Sequence, residues 1–306
     1  LLDHGSLPVS VRVSKTRVGP RGGIGERRRA AGVVVRDLRV GDVLLFGGRR
    51  GSRPTHTVPT ANADLKALDK DTVVWLGHSS LFLRLGGKNV LIDPVLGKNA
   101  APLFFLNRAF KQDRLWQAGD FPVIDVLIIS HDHWDHLDYA TATALRSKVG
   151  QVVCPLGVGA HFEAWGYGKE TVFEGDWYSV LEGKDGFAIH ILPARHFSGR
   201  SLTRNKTLWA GFALVTPERR IFFSGDSGYG KHFAEIGARF GGFDLAMLDC
   251  GQYDENWRYV HMMPEDTAQA AEDLRAHSHA SLPARLPRLS FCGRVPHSRR
   301  KRPTGV

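Results

Sequence analysis

The feature that most constrains this 306-residue chain is one short stretch, Ser130-His131-Asp132-His133-Trp134-Asp135-His136-Leu137-Asp138. It follows directly on a continuous apolar run at 126–130. A run of that length and composition reads as a strand buried on both faces. The histidines then stand on a loop at the strand's C-terminal end, where α/β folds gather their chemistry. Imidazole nitrogens and carboxylate oxygens suit Zn²⁺, which takes about four ligands at ~2.0–2.2 Å. The spacing His131-x-His133 lets two rings from one extended stretch reach one ion, and Asp135 and His136 can face a second ion beside it. A solvated polar loop is the bland alternative. So dense a set of ligand types, placed directly after an apolar strand, argues against it.

Around this loop, short strand-like runs alternate with helical ones. Strands are expected at 73–76, 81–85 and 89–92, with Gly86 and Gly87 turning the chain between the last two. Further strands are expected at 187–192, 209–215, 220–224 and 243–248. At 232–240, Phe233, Ile236 and Phe240 fall at helical spacing. A helix is expected over 264–276, where Pro264 suits a first-turn position and Glu265 and Asp266 meet the positive end of the dipole. Asp138 is placed to cap a helix opening at Tyr139. No internal repeat of 20–50 residues is visible.

Charge divides the chain. The net charge of +10 comes from the two ends: basic residues exceed acidic ones by eight in 1–60 and by eight again in 274–306, so 61–273 is net acidic. Residues 1–44 are rich in Gly and Arg and read as a poorly ordered basic extension. The body is expected at 45–276, and 277–306 reads as an atypical basic tail. The basic ends carry few aromatics and no nucleic-acid motif, so no specific nucleic-acid partner is expected. No apolar run approaches the ~20 residues of a membrane helix, and 1–11 has no secretory signal pattern. Three scattered cysteines do not make a disulfide framework. The expected location is cytoplasmic.

The pattern His-x-His-x-Asp-His after a strand resembles that of the metallo-β-lactamase superfamily. Within it the chain is similar to the branch of N-acyl-phosphatidylethanolamine-hydrolysing phospholipase D and its bacterial relatives. The likeness rests on Trp75-Leu76-Gly77-His78-Ser79, Leu91-Ile92-Asp93-Pro94, Pro193-Ala194-Arg195-His196-Phe197, Phe223-Ser224-Gly225-Asp226-Ser227-Gly228-Tyr229 and Tyr259-Val260-His261-Met262-Met263-Pro264-Glu265. It covers roughly residues 45–275.

The resemblance implies a four-layer αβ/βα sandwich, an α/β fold with its metals where both sheets present strand ends. It implies a first zinc on His131, His133 and His196, a second on Asp135 and His136, and Asp226 bridging them, with manganese as an alternative metal. It implies a phosphodiesterase that attacks an N-acylated phospholipid with a metal-bound hydroxide oriented by Asp135. It further implies that His261 stands by the phosphate and that the chain makes peripheral contact with the membrane. His78, Trp134, Phe197, Tyr229 and Tyr253 are the candidate substrate contacts. Asp93 is expected to hold the metal loop through hydrogen bonds. A lactonase or β-lactamase-type ester or amide hydrolase is the alternative enzyme. A non-catalytic metal- or nucleic-acid-binding protein is the reading if the second site is destroyed.

The chain departs from the family near its end. The resemblance implies a final histidine for the second metal, at the end of one more strand after the helix at 264–276. That strand is not evident, and Arg285 falls at the histidine's place. The second site is therefore expected to be weakened, with His277, His279 and His297 as candidate substitutes.

Overall fold

The computed structural model describes residues 10–12, 63–100, 116–200, 204–251 and 255–282. The expected boundary between extension and body at 44/45, Tyr253, Arg285 and His297 lie outside the described residues.

Two sheets face one another. The first has seven strands in chain order: β1 (Ser10–Arg12), β2 (Thr72–Gly77), β3 (Ser80–Leu85), β4 (Lys88–Ile92), β5 (Ile124–Ile128), β6 (Val149–Pro155) and β7 (Val172–Gly175). It runs antiparallel from β1 to β4 and parallel from β4 to β7. The second has six strands in the order β13-β12-β11-β10-β9-β8. These are β8 (Val180–Glu182), β9 (Ala188–Leu192), β10 (Gly211–Val215), β11 (Arg220–Phe223), β12 (Leu245–Asp249) and β13 (His279–Leu282). Strands β11, β12 and β13 are mutually parallel, and the rest pair antiparallel. Among the described residues, four α-helices cover the outer faces: α1 (Tyr139–Leu145), α2 (Gly159–Ala164), α3 (His232–Phe240) and α4 (Pro264–Asp273).

The period-2 alternation of strands sorts the apolar side chains into three layers. Leu81, Leu83 and Leu85 of β3 meet Ile189, Phe212, Phe223 and Met247 between the sheets. Phe82 points the other way, joining Leu127, Leu145 and Phe162 beneath α1 and α2. Phe222, Ala246 and Leu248 lie on the outer face of the second sheet with Phe233 and Ile236 of α3 and Ala270 of α4. Both faces of each sheet are therefore buried, which is why these strands read as unbroken apolar runs. The result is a four-layer αβ/βα sandwich. Among the described residues no helix is long and apolar enough to cross a membrane.

Two local expectations meet their structures. Asp138 Oδ2 accepts the Thr141 N–H at 2.9 Å and caps α1. Helix α4 starts at Pro264 with Met263 as its cap residue; Asp266 Oδ2 accepts the Met263 N–H at 3.3 Å, which anchors the end that Met263's own side chain leaves uncapped. One expectation is corrected. A strand does follow α4: β13 pairs with β12 in parallel register, His279 opposite Ala246 and Leu282 opposite Asp249. The segment His-Ala-Ser-Leu carries little apolar signal. As an edge strand it is held by backbone hydrogen bonds to one neighbour.

Candidate metal centre

The first sheet delivers the motif loop and the second sheet delivers what faces it. After β5, residues 131–137 wrap across the strand ends, held from three sides. Asp93, fully buried just past β4, accepts the Ser130 N–H at 2.7 Å and the Ser130 hydroxyl. Its Oδ2 also lies 2.9 Å from His136 Nδ1. The Asp132 Oδ1 accepts the Gly199 N–H at 2.8 Å. Arg200 donates to the carbonyl oxygens of Asp132 and Leu137 and lies 3.8 Å over the Trp134 ring. From the other sheet, the turn after β11 brings in Asp226. Gly225 makes this turn at φ 59, and a side chain there would strike the Ala210 carbonyl oxygen at 2.7 Å and the Ser130 Cβ at 3.1 Å. Only glycine lets the two sheets approach this closely.

These loops bring His131, His133, His136, His196, Asp135 and Asp226 together. His131 Nε2 and His196 Nε2 lie 2.8 and 3.2 Å from His133 Nδ1. The hydrogen bonds on the far side of each ring set which nitrogen is free. A carboxylate and a carbonyl only accept, so His136 Nδ1 donates to Asp93 and His196 Nδ1 donates to the Val260 carbonyl at 3.0 Å. The Ser130 hydroxyl gives its proton to Asp93, so its lone pair takes His131 Nδ1–H at 2.9 Å. In the neutral form of all three rings the Nε2 lone pair then points inward. A carboxylate or carbonyl behind a ligating histidine is the usual means of orienting it toward a metal.

The electrostatics agree. Burial and the neighbouring His136 and His133 hold His131 well below the ordinary histidine range. Burial also lowers His133 and takes His196 down to about 3. These three rings are neutral, as ligands must be. Burial opposes the charge on Asp135 and Asp226, but His78 and His136 overcome it at Asp135, and His136 does so at Asp226; both carboxylates lie well below the usual range. His136 Nε2 is buried without a hydrogen-bond partner among the described residues, 3.2 Å from Asp226 Oδ2. Asp226 and Asp93 raise His136 well above the ordinary histidine range against the effect of burial, so without a metal the site draws a proton onto this ring; a buried nitrogen held against a carboxylate fits a divalent cation in that proton's place. Four overlapping sets offer ligand atoms within 4.8 Å of one another: His131 with His133 and His196; His78 with Asp135 and His136; His131 with His136 and Asp226; and His196 with Asp226 and His261.

The candidate contacts separate. His78 is buried with Nε2 3.1 Å from Asp135 Oδ2. Phe197 packs against His133 and His196, ring centroids 4.6 and 4.8 Å apart. Trp134 lies under Arg200. His261 sits beside the cluster, its Nδ1 4.0 Å from Asp226 Oδ2. Tyr229 is corrected: its hydroxyl donates to Asp273 in α4 at 2.6 Å and its ring stacks on Phe233, which commits it to the outer helical layer. His277 and His279 are also corrected as substitutes, since both precede or open β13, at the end of the sheet away from the cluster. Asp249 escaped sequence reasoning. It closes β12, buried, with Oδ2 2.7 Å from His261 Nδ1. Burial would lower His261, yet Asp249 raises it to about 9.

Residues 88–280 match a family described as the beta-lactamase superfamily domain. An uncharacterized Mycobacterium tuberculosis protein is 40% identical over 233 residues, 75% of this chain and 62% of that protein, so the chain spans less than two thirds of that relative's length. N-acyl-phosphatidylethanolamine-hydrolyzing phospholipase D 1 of Caenorhabditis elegans is 32% identical over 216 residues, 67% of this chain and 61% of that protein. Among solved structures, an isothiocyanate hydrolase from Delia radicum gut bacteria superposes with a TM-score of 0.56 at 20% identity, covering 70% of this chain and 84% of its own. At that identity the likeness speaks for the fold alone.

Proposed function

The chain belongs to the beta-lactamase superfamily as a metal-dependent hydrolase, and from that premise we propose that it is a zinc-dependent phosphodiesterase acting on an N-acylated phospholipid. His131, His133 and His196 would hold one ion, Asp135 and His136 the second, with Asp226 between them. Zinc so held lowers the pKa of a water toward ~7 and polarises a phosphoryl oxygen.

The observation that carries the phosphodiester reading is the buried Asp249–His261 pair beside the cluster. Against the effect of burial, Asp249 pulls His261 above the ordinary histidine range, which favours the protonated ring. A phosphodiester is an anion and its leaving group departs as an alkoxide. A held imidazolium pairs with the first and protonates the second. A lactone or β-lactam carbonyl is neutral and gains less from a fixed cation. Asp135, kept ionised, orients the attacking water by accepting its hydrogen bond. Phe197, packed against His133 and His196, supplies apolar surface beside the cluster. The similarity to the nematode phospholipase D over two thirds of this chain supports the same substrate class. A phospholipid substrate places the protein at the membrane surface by peripheral contact, from the cytoplasm.

A panel of N-acyl-phosphatidylethanolamine, a lactone and a cephalosporin, each with and without chelator, tests this. The expected result is chelator-sensitive release of phosphatidic acid, reduced by His261→Asn. Chelator-sensitive turnover of the lactone or cephalosporin alone would replace the phosphodiesterase reading.

A further inference from the structure

We propose that His78 is a metal ligand, supplying the second centre with an imidazole that neither His277 nor His279 brings to it. The inference rests on the metal-centre reading above and extends it to a residue outside the motif loop.

His277 and His279 do not reach the second centre. In the β12–β13 register Leu282 stands opposite Asp249 at the cluster end, and His279 is three residues back. At ~3.3 Å per residue that is about 10 Å along the strand, and His277 lies further still. His78 comes from the other sheet and is already there. It sits in the turn between β2 and β3, and Trp75 Nε1 donates to its carbonyl oxygen at 2.6 Å. Its backbone is left-handed, φ 51. That region is uncommon for a residue with a side chain, and such residues persist where the surrounding structure fixes them. The ring is buried, 5.1 Å from His136 and edge-on to it.

Distances decide what the arrangement suits. Two donors at ~2.0–2.2 Å from one tetrahedral ion lie roughly 3.3–3.6 Å apart. His78 Nε2 and Asp135 Oδ2 are 3.1 Å apart. The nitrogens of the first centre are 2.8 and 3.2 Å apart. His78 thus stands toward Asp135 as the first-centre histidines stand toward one another. All three ligand atoms of His78, Asp135 and His136 fall within 4.8 Å. With Asp226 shared, 3.2 Å from His136 Nε2, the second centre has four protein donors. Its two imidazoles both come from the first sheet, His78 from the β2–β3 turn and His136 from the loop after β5. Among the described residues, these four donors suffice for the second ion without His277 or His279.

The rival role is a hydrogen bond from His78 to Asp135. Glutamine preserves it, because its amide nitrogen falls where Nε2 was and can donate, but it removes the imidazole lone pair. The test counts zinc per full-length chain after dialysis in wild type, His78→Ala and His78→Gln, and records visible spectra of cobalt-loaded His78→Cys. The expected result is about two ions in wild type and about one in both His78→Ala and His78→Gln, with the second dissociation constant raised at least ~10-fold, the scale of disturbing even an indirect metal contact. Cobalt-loaded His78→Cys gains a thiolate-to-cobalt charge-transfer band that wild type lacks. Two ions in folded His78→Ala or His78→Gln, or no band in folded His78→Cys, overturns the assignment and leaves the metal centre standing. Wild type that binds no zinc overturns both.

Discussion

Replacing Asp93 with asparagine changes one atom and reverses one proton. Asp93 accepts the Ser130 N–H, the Ser130 hydroxyl and the His136 Nδ1–H, and it is fully buried. Its φ is 42, a left-handed conformation that asparagine also tolerates, so the backbone at this position is not disturbed. The amide oxygen introduced by Asp93→Asn would keep the Ser130 N–H. The new NH₂ would then face His136 Nδ1 at 2.9 Å and need a lone pair there. His136 must switch tautomer and place its proton on Nε2, the nitrogen that faces Asp226 at 3.2 Å. The lone pair offered to the second ion is lost. Disturbing the carboxylate behind a ligating histidine costs about 10–100-fold in metal affinity, or ~1.4–2.7 kcal/mol. Without metal, the loss of a buried charge-assisted hydrogen bond costs about 1.5–3 kcal/mol, which lowers Tm by roughly 3–12 °C in a domain of this size. Competitive zinc titration and thermal melts with and without chelator measure the two effects separately. Zinc affinity equal to wild type in folded Asp93→Asn would refute the tautomer argument.

Three further outcomes are expected. Asp249→Asn removes what raises His261 to about 9; activity that needs the imidazolium is lost near pH 9 in wild type and nearer 6.5 in the variant, and a pH–rate profile with an unmoved alkaline limb contradicts this. In metal-stripped protein, His131, His133 and His196 are depressed, so between pH 6 and 5 the unfolded chain binds protons that the folded chain refuses. Stability therefore falls as pH falls, by at most about 1.4 kcal/mol per pH unit for each ring; His136 and His261, raised instead, lose their contribution at the alkaline side, and a flat melting profile from pH 6 to 5 opposes the reading. Gly237→Ala in α3 would place its Cβ 2.0 Å from the Asp273 carbonyl oxygen of α4, and a cost of about 1–3 kcal/mol in urea denaturation is expected, with zinc content unchanged.

The fold was legible where burial on both faces made strands continuously apolar, as in β3, β5, β11 and β12, and where α3 carried Phe233 and Ile236 at helical spacing. It was illegible at β13, whose His-Ala-Ser-Leu offers no pattern and which is held by pairing with β12 and by the one core side chain, Leu282. The motif loop, His196 and Asp226 could be read because each follows a strand end in a recognisable context. Asp249 could not, since it ends an apolar run and meets His261 only through the fold. Tyr229 misled because it stands three residues after Asp226, yet the chain direction turns its ring toward α4. Nothing in the spacing of His78 and Asp135 says that the β2–β3 turn and the motif loop share one sheet edge.

The central claim is that the His/Asp cluster is a catalytic metal centre for phosphodiester hydrolysis. The most direct measurement is phosphatidic acid release from N-acyl-phosphatidylethanolamine by chelator-stripped protein as zinc is titrated back. Activity should rise from background and saturate at about two zinc ions per chain, and His131→Ala should stay at background throughout. Full turnover in excess chelator, or a titration that His131→Ala follows as wild type does, would contradict the account.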